Sequence, residues 1–434
     1  MTPMNGAGLT WPDGVPKGWS LLPFKRLVRI RDGQVDPKLP QISALPLYAP
    51  NHIECRTGRL LGLETAAEQG AISGKYPVKR GEIVYSKIRP ALRKAMLAPQ
   101  DGLCSADMYA LRPICNNDAK FILYAMLSDG FSVAAELVSD RVAMPKVNRD
   151  TLADLLLPTA PVAVQKSVAR YLDRKTAAVD ALIGKKQKLA ELLAENRAAV
   201  INQAVTKGLD PAVPMKDSGI AWIGAIPAHW DIAKLPRNWA VIDCKHRTPS
   251  YIDEGYPVLS TTEVKPGKVD LAKATRFISR NDYLDMTVGG RKPAPGEIIY
   301  SRNASLGAAA YIKTGVEFAM GQDVVLIRSL NQPPTDGLYL SYLLNSSIGM
   351  TQVQLFCVGS TFKRINVDQI RKLMVPVPPT EEQDLIARFI ENETEQFFLK
   401  EDLLQSSIAV LQEYRQAIIS AAVTGQLVIP EQGD

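Results

Sequence analysis

The chain repeats itself, and the repeat constrains the fold more than any other feature. Trp11, Pro16 and Trp19 recur at the same spacing as Trp222, Pro227 and Trp230. Gly81-Glu-Ile-Val-Tyr-Ser-Lys87 returns as Gly296-Glu-Ile-Ile-Tyr-Ser-Arg302, and Asp107 before Met-Tyr-Ala-Leu-Arg matches Asp323 before Val-Val-Leu-Ile-Arg. Asn148, Pro158, Gln165, Arg170, Thr176, Arg197 and Thr206 match Asn366, Pro376, Gln383, Arg388, Thr394, Arg415 and Thr424. The offset between copies drifts upward in the first part of each copy and then holds at 218. Drift marks loops that accept insertions. A constant offset marks a segment whose length matters, such as a long helix.

Each copy has two parts. The first is rich in Gly, Pro and short β-type runs such as Ile83-Val-Tyr and Ile298-Ile-Tyr, with helical stretches near Phe121–Leu127 and Leu338–Leu344. It reads as a mixed α/β or α+β globular domain. Proline-rich punctuation follows at Pro158-Thr-Ala-Pro161 and Pro376-Val-Pro-Pro379. Proline just ahead of a periodic run is a helix-start signal, and Thr380 with Gln383 loosely fits a capping box. The next segments, 163–206 and 381–424, lack proline and have Gly184 as their only glycine. Each carries a seven-residue ladder: Leu172, Val179, Lys186, Leu193, Val200, and Ile390, Phe397, Leu404, Leu411, Ile418. Heptad spacing over this length predicts two long helices with a coiled-coil seam, interrupted once by Lys186. The expected division is 1–160 globular, 161–209 helical, 210–378 globular and 379–434 helical. The expected fold is tandem α/β (α+β) domains separated by long antiparallel coiled-coil helices, with pseudo-twofold organisation.

Charge supports a pairing of the helices. Residues 162–208 carry a net +5 and residues 380–425 a net −6, while the globular segments 1–161 and 209–379 carry +5 and +4. Opposite charge selects a helical partner more than it stabilises one. The mild positive excess of the globular parts suits nucleic acid without demanding it.

Several function classes are excluded by what is missing. There is no run of about 20 apolar residues for a membrane span, no Gly-x4-Gly-Lys-[Ser/Thr] phosphate loop, and no charged head with an apolar core near Met1. Cys55, Cys104, Cys115, Cys244 and Cys357 are scattered and read as reduced cytoplasmic thiols, and nothing in their spacing with His52, His229 and His246 supports a metal site. Asn331-Gln-Pro-Pro-Thr335 has the wrong order for an adenine-methyltransferase motif. Asp253 with Glu263 and Lys265 mimics a magnesium nuclease, but the first copy has no counterpart.

With these motifs in order and duplicated, the chain resembles the specificity subunit of a type I restriction–modification system along nearly its whole length. The paired Trp-Pro-Trp entries, the paired Gly-Glu-Ile strands, the Asn148/Asn366 lead-ins and the helical endings Ala204-Val-Thr206 and Ala422-Val-Thr424 carry the likeness. The resemblance implies two target-recognition domains, each reading one half of a split, asymmetric sequence in double-stranded DNA. It implies helical spacers that dock two modification (adenine methyltransferase) subunits and, through them, restriction subunits with an ATP-driven motor. It further implies a cytoplasmic, non-catalytic chain with no cofactor of its own: S-adenosylmethionine, ATP and magnesium belong to the partners. Equal spacer helices predict half-site centres about one duplex turn apart. The competing readings are a scaffold whose two domains bind protein and a self-sufficient nuclease using Asp253, Glu263 and Lys265.

Basic side chains position a protein on phosphates, while Arg, Lys, Asn and Gln read base edges. The DNA-binding candidates are Lys87, Arg89, Arg93 and Lys94 after the first repeated strand, and Arg302 and Asn303 after the second. They also include Lys146, Lys363 and Arg364 in the paired lead-ins, and His246 and Arg247 in the loop after Cys244. Lys87/Arg302 and Lys146/Arg364 are expected on backbone phosphates. The tryptophans at the domain entrances are expected to pack rather than to stack on bases.

Overall fold

The computed structural model describes residues 15–139, 145–313, 315–331, 336–357 and 363–429. The chain divides into two compact units, residues 1–187 with 405–434 and residues 188–404. Trp11 lies outside the described residues. No helix among the described residues is long and apolar enough to cross a membrane.

Unit 1 is built on a four-stranded antiparallel sheet in the order Val28–Ile30, Met108–Pro113, Ile83–Ser86, Ala95–Leu97. The repeated strand lies inside it, and all four of its residues are buried. Its Ile83-Val-Tyr85 run does not alternate with polar residues because both faces are covered. Ile83 and Tyr85 join a core with the helices Ala119–Leu127 and Asp129–Leu137, and Val84 joins a second core with Tyr48, Ile53 and Met96. A second sheet runs Glu64–Thr65, Pro46–Tyr48, Gly102–Cys104, Tyr76–Val78, with one parallel pair at its centre. Ser20–Pro23 pairs with Leu156–Thr159 to close the unit.

Unit 2 has the same plan. Its main sheet runs Trp239–Asp243, Val324–Ser329, Ile298–Ser301, Ala309–Tyr311, and its second sheet again contains one parallel pair, Tyr256–Leu259 with Ala319–Met320. Ile298 and Tyr300 face one core and Ile299 the other. The motif's first two residues have structural tasks in both units. Gly81 and Gly296 hold positive φ, +81° and +90°, which a side chain would strain. Glu82 accepts from the Lys79 amide at 2.9 Å and from both arms of Arg31 at 2.7 and 2.6 Å. Glu297 accepts from the Ala294 amide and pairs with Arg328. The carboxylate recurs, but its arginine comes from the end of a different strand in each unit.

The long helices span Val162–Lys207 and Thr380–Val423. Within unit 1, Val168, Ala169 and Leu172 share a core with Ile418, Ile419, Ala422 and Val423, while Asp180 meets Arg415. Within unit 2, Ala204 and Val205 share a core with Ile386, Ala387 and Ile390, while Arg197 meets Glu401. In each unit the two segments therefore run antiparallel. The seven-residue ladders Leu172, Val179, Lys186, Leu193, Val200 and Ile390, Phe397, Leu404, Leu411, Ile418 are buried or half-buried throughout. A second ladder, Thr176, Ile183, Ala190, Arg197, Ala204 and Thr394, Glu401, Ile408, Arg415, Ala422, completes the seam at alternating three- and four-residue steps. Only one of the two cross-helix ion pairs runs against the net charges of the helices: Arg415 on the acidic helix pairs with Asp180 on the basic one, whereas Arg197 on the basic helix meets Glu401 on the acidic one.

The expected capping box at Thr380 is not formed. Gln383 instead turns inward, donating to the Pro378 carbonyl at 2.8 Å and accepting from the Asp336 amide at 3.2 Å. Its match Gln165 donates to the Ala160 carbonyl and accepts from the Asp118 amide. Asp118 and Asp336 each cap the next helix by accepting backbone amides. The repeated glutamine thus sutures the start of each long helix to its globular part. The complete capping box sits at Asn366 and Gln369.

Candidate nucleic-acid interface

Two stretches far apart in sequence meet beside the repeated strand. In unit 1, the Val147 amide donates to the Lys87 carbonyl at 2.9 Å and the Arg89 amide to the Pro145 carbonyl at 2.8 Å. Ile88 bridges Lys146. This clamp brings Lys87, Arg89 and Lys146 to one place. Lys146 and Arg89 are exposed, and the Lys87 ammonium lies 5.5 Å from the Tyr109 ring centre. The Tyr109 hydroxyl donates to the Val147 carbonyl. Arg149 is on the same ring and pairs with Asp32. Arg149 follows directly on the repeated Asn148, and that adjacency was the available signal for a residue absent from the sequence-based set. Arg89 holds φ +48°, a left-handed conformation unusual outside glycine.

In unit 2 the Ile365 amide donates to the Arg302 carbonyl at 3.0 Å, so the strand end and the lead-in are clamped in the same way. Lys363 is exposed, Asn303 is half-buried, and Arg364 pairs with Asp323 at 3.1 Å while keeping 47% of its side chain in solvent. Arg302 corrects an expectation. It is 5% exposed, and its guanidinium is held by Asp243 at 3.2 Å and the Ile365 carbonyl at 3.3 Å. A charge so enclosed braces the clamp and is not presented to a phosphate. Arg93 is a second correction: its side chain is 11% exposed and ties Asp129 at 2.6 Å. Lys94 likewise spends its ammonium on the Pro50 carbonyl at 2.6 Å.

The loop after Trp239–Asp243 carries the remaining candidates. Arg247 pairs with Asp282 and Asp285, and Lys245 with Asp285. Hydrogen bonds from Lys245 and then Arg247 hold the Asp285 carboxyl below its ordinary range. His246 is 63% exposed and reaches Asp243 at 3.1 Å. Cys244 beside it is buried, which pushes its thiol up to about 11. Glu263 is buried and accepts from the Ser260 amide and hydroxyl, both at 2.7 Å, whereas Asp253 is exposed. Glu263 therefore closes a turn. Trp230 is fully buried with its indole on Glu382, Trp19 packs on Phe121, and Trp222 is 40% exposed.

The seam has a polar layer of its own. Arg415 is 6% exposed, grips Asp180 at 2.8 and 3.2 Å, and donates to the carbonyls of Arg56 and Thr57 at 3.2 Å each. The repeat-related Arg197 lies 4.7 Å from the Phe398 ring centre and 3.4 Å from Glu401. Away from the seam, the second long helix exposes Leu385, Leu399 and Leu403, the last at 72%.

Comparison with known proteins adds likeness to this geometry. Residues 253–406 match the family described as the type I restriction modification DNA specificity domain. The EcoDI type I restriction enzyme specificity subunit of Escherichia coli is 35% identical over 168 residues, covering 39% of this chain and 37% of the relative. The EcoBI specificity subunit, also of E. coli, is 24% identical over 71% of this chain and 65% of the relative. The chain thus aligns with between about a third and two thirds of the length of these two relatives. A solved chain described under complex assembly and conformational transition of the type I R-M system is 18% identical with a TM-score of 0.71, covering 96% of this chain and 100% of that one. The HsdS subunit of Thermoanaerobacter tengcongensis is 17% identical with a TM-score of 0.52, over 96% of this chain and 99% of that one. These two likenesses are likenesses of fold.

Proposed function

We propose that this chain, which belongs to the family of type I restriction–modification specificity subunits, is a non-catalytic subunit that reads a bipartite, asymmetric sequence in double-stranded DNA. The observation that carries the reading is the repeated clamp. In each unit the end of the central strand is bonded to the lead-in, and exposed basic residues gather there: Arg89 and Lys146 in one, Lys363 and Arg364 in the other. Lys146, Lys363 and Arg364 would contact phosphates and fix register.

The flanking residues would read bases, and they differ between the units. Where unit 1 gathers Lys87 and Arg149 on the Tyr109 ring, unit 2 has Val325 and Val367 at the repeat-related positions of Tyr109 and Arg149. Two unlike surfaces on one plan suit two unlike half-sites. The long helices would set the gap between half-sites and dock two adenine methyltransferase subunits, and through them an ATP-dependent restriction subunit. Exposed Leu385, Leu399 and Leu403 supply apolar area for such docking. S-adenosylmethionine, ATP and magnesium would be held by those partners, and the assembly would act on the chromosome in the cytoplasm.

The test is a methylation map. The chain is co-expressed with its neighbouring methyltransferase in a methylation-free host, and modified adenines are located across the genome. A split motif with two unlike halves and a fixed gap is the expected result, and exchanging residues 1–160 should change one half only. A complex that forms yet methylates no motif would refute DNA reading and favour a protein scaffold.

A further inference from the structure

We propose that Asp243, Cys244 and His246 form a site for one thiophilic divalent cation, of which Zn²⁺ is the type, at the edge of the main sheet of unit 2. One carboxylate oxygen, the Sγ atom and one imidazole nitrogen lie within 4.8 Å of one another. Sγ is 4.0 Å from Nδ1, and Nε2 is 3.1 Å from the Asp243 carboxylate. A sulfur, nitrogen and oxygen donor set fits zinc and not the hard cations magnesium or calcium.

Zinc bonds of about 2.0–2.3 Å in a tetrahedron would put the donors roughly 3.3–3.8 Å apart, so the three must close by about 1.5 Å at most. The exposed His246 ring can supply that movement by rotating, which also frees the Asp243 oxygen it now contacts.

The surroundings are organised as a metal site's outer ring would be. Asp243 Oδ1 accepts from Arg302 at 3.2 Å and from the Cys244 amide at 3.0 Å, leaving Oδ2 with His246 alone. Arg302 is itself fixed by the Ile365 carbonyl. The carboxylate is thus oriented from behind, in the way that hydrogen-bond partners orient the ligands of known metal sites. Binding would displace the thiol proton to solvent, one proton per cation. The resulting thiolate and carboxylate would balance the two positive charges, and the fourth coordination position would fall to water.

The site belongs to unit 2 only. Pairing of Arg29 with Arg112 and of Ala240 with Arg328 places Asp32 where Asp243 stands, and Gly33 where Cys244 stands. Asp32 turns to Arg149 instead. The cation would pin the start of a loop that Lys245 and Arg247 already tether to the helix Arg280–Thr287.

The full chain, stripped with chelator, is titrated with CoCl₂ and then ZnCl₂. One cobalt per chain with a thiolate-to-cobalt charge-transfer band is expected, displaced by zinc, with one proton released per cation bound by the apo chain. Cys244→Ser should abolish the band and Cys55→Ser, at an exposed thiol, should leave it. His246→Ala, at an exposed position that does not threaten folding, should weaken cobalt binding at least tenfold and carries the test if Cys244→Ser fails to fold. No band in the native chain, a band lost with Cys55→Ser, or unchanged affinity in His246→Ala would each overturn the site.

Discussion

Arg415 offers the sharpest test of the helix seam. It stands in the second ladder of the acidic long helix, yet its guanidinium makes four hydrogen bonds: two to Asp180 and one each to the carbonyls of Arg56 and Thr57. Arg415→Ala leaves a carboxylate 31% exposed without its partner and removes the donors of two carbonyls. Breaking a buried pair by deleting one side costs about 3–5 kcal/mol. Water reaching Asp180 lowers this, and about 3 kcal/mol remains when the carbonyls are included.

A chain of two units need not unfold in one step, so a global midpoint would blur the effect. Hydrogen exchange reads it locally. Protection of residues 54–59 and of the facing helical turn should fall by roughly 100-fold, since each 1.4 kcal/mol is about tenfold. Arg197→Ala is the internal control. Its ion pair is longer, at 3.4 Å, and both side chains keep about a quarter of their surface in water, so about 1 kcal/mol is expected. Equal losses for the two variants, or unchanged exchange at 54–59 in Arg415→Ala, would refute the claim that Arg415 locks the 54–59 loop to the seam.

Three further outcomes follow from the geometry, and a fourth from burial. Alanine at Lys146, Lys363 and Arg364 should weaken DNA binding and make its salt dependence shallower, the log–log slope falling by about one for each phosphate that is no longer neutralised, measured by titration at several salt concentrations. Arg302→Ala should instead lower thermal stability and leave that slope almost unchanged, because its charge is enclosed. Leu399→Lys with Leu403→Lys should abolish capture of the methyltransferase partner without altering DNA affinity, as read by co-purification and titration. Burial raises the Asp336 carboxyl above its ordinary 3.8, outweighing the amides it caps. Its folded form then binds the proton more tightly than its unfolded form. Its contribution to stability is full below 3.8 and declines as pH rises through the folded value. Asp336→Asn should remove that component, seen as a difference between the two unfolding-versus-pH profiles.

The repeat and the seven-residue ladders determined the main plan: two globular parts built on matching main sheets and two helices, of 46 and 44 residues. Those patterns are local, because periodicity records which face of an element is dry wherever its partner comes from. The matched Asn148/Asn366 lead-ins and Gly-Glu-Ile strands likewise marked the segments that the backbone clamps together. Burial and partnership were not legible. Lys87 and Arg302 occupy matching positions, yet one lies against an aromatic ring and the other is enclosed against Asp243. Glu82 and Glu297 match, but their arginines come from different strands. Gln165 and Gln383 recur for a long-range suture, which at Thr380–Gln383 mimics a capping signal in sequence. Arg197 and Arg415 match as well, but Phe398 occupies the position in its repeat that Asp180 occupies in the other, so only one arginine makes a bidentate ion pair. A charged side chain's role depends on what lies within a few ångströms of its head group. Sequence spacing predicts that neighbourhood only along one helix or strand, and the tertiary structure decided the rest.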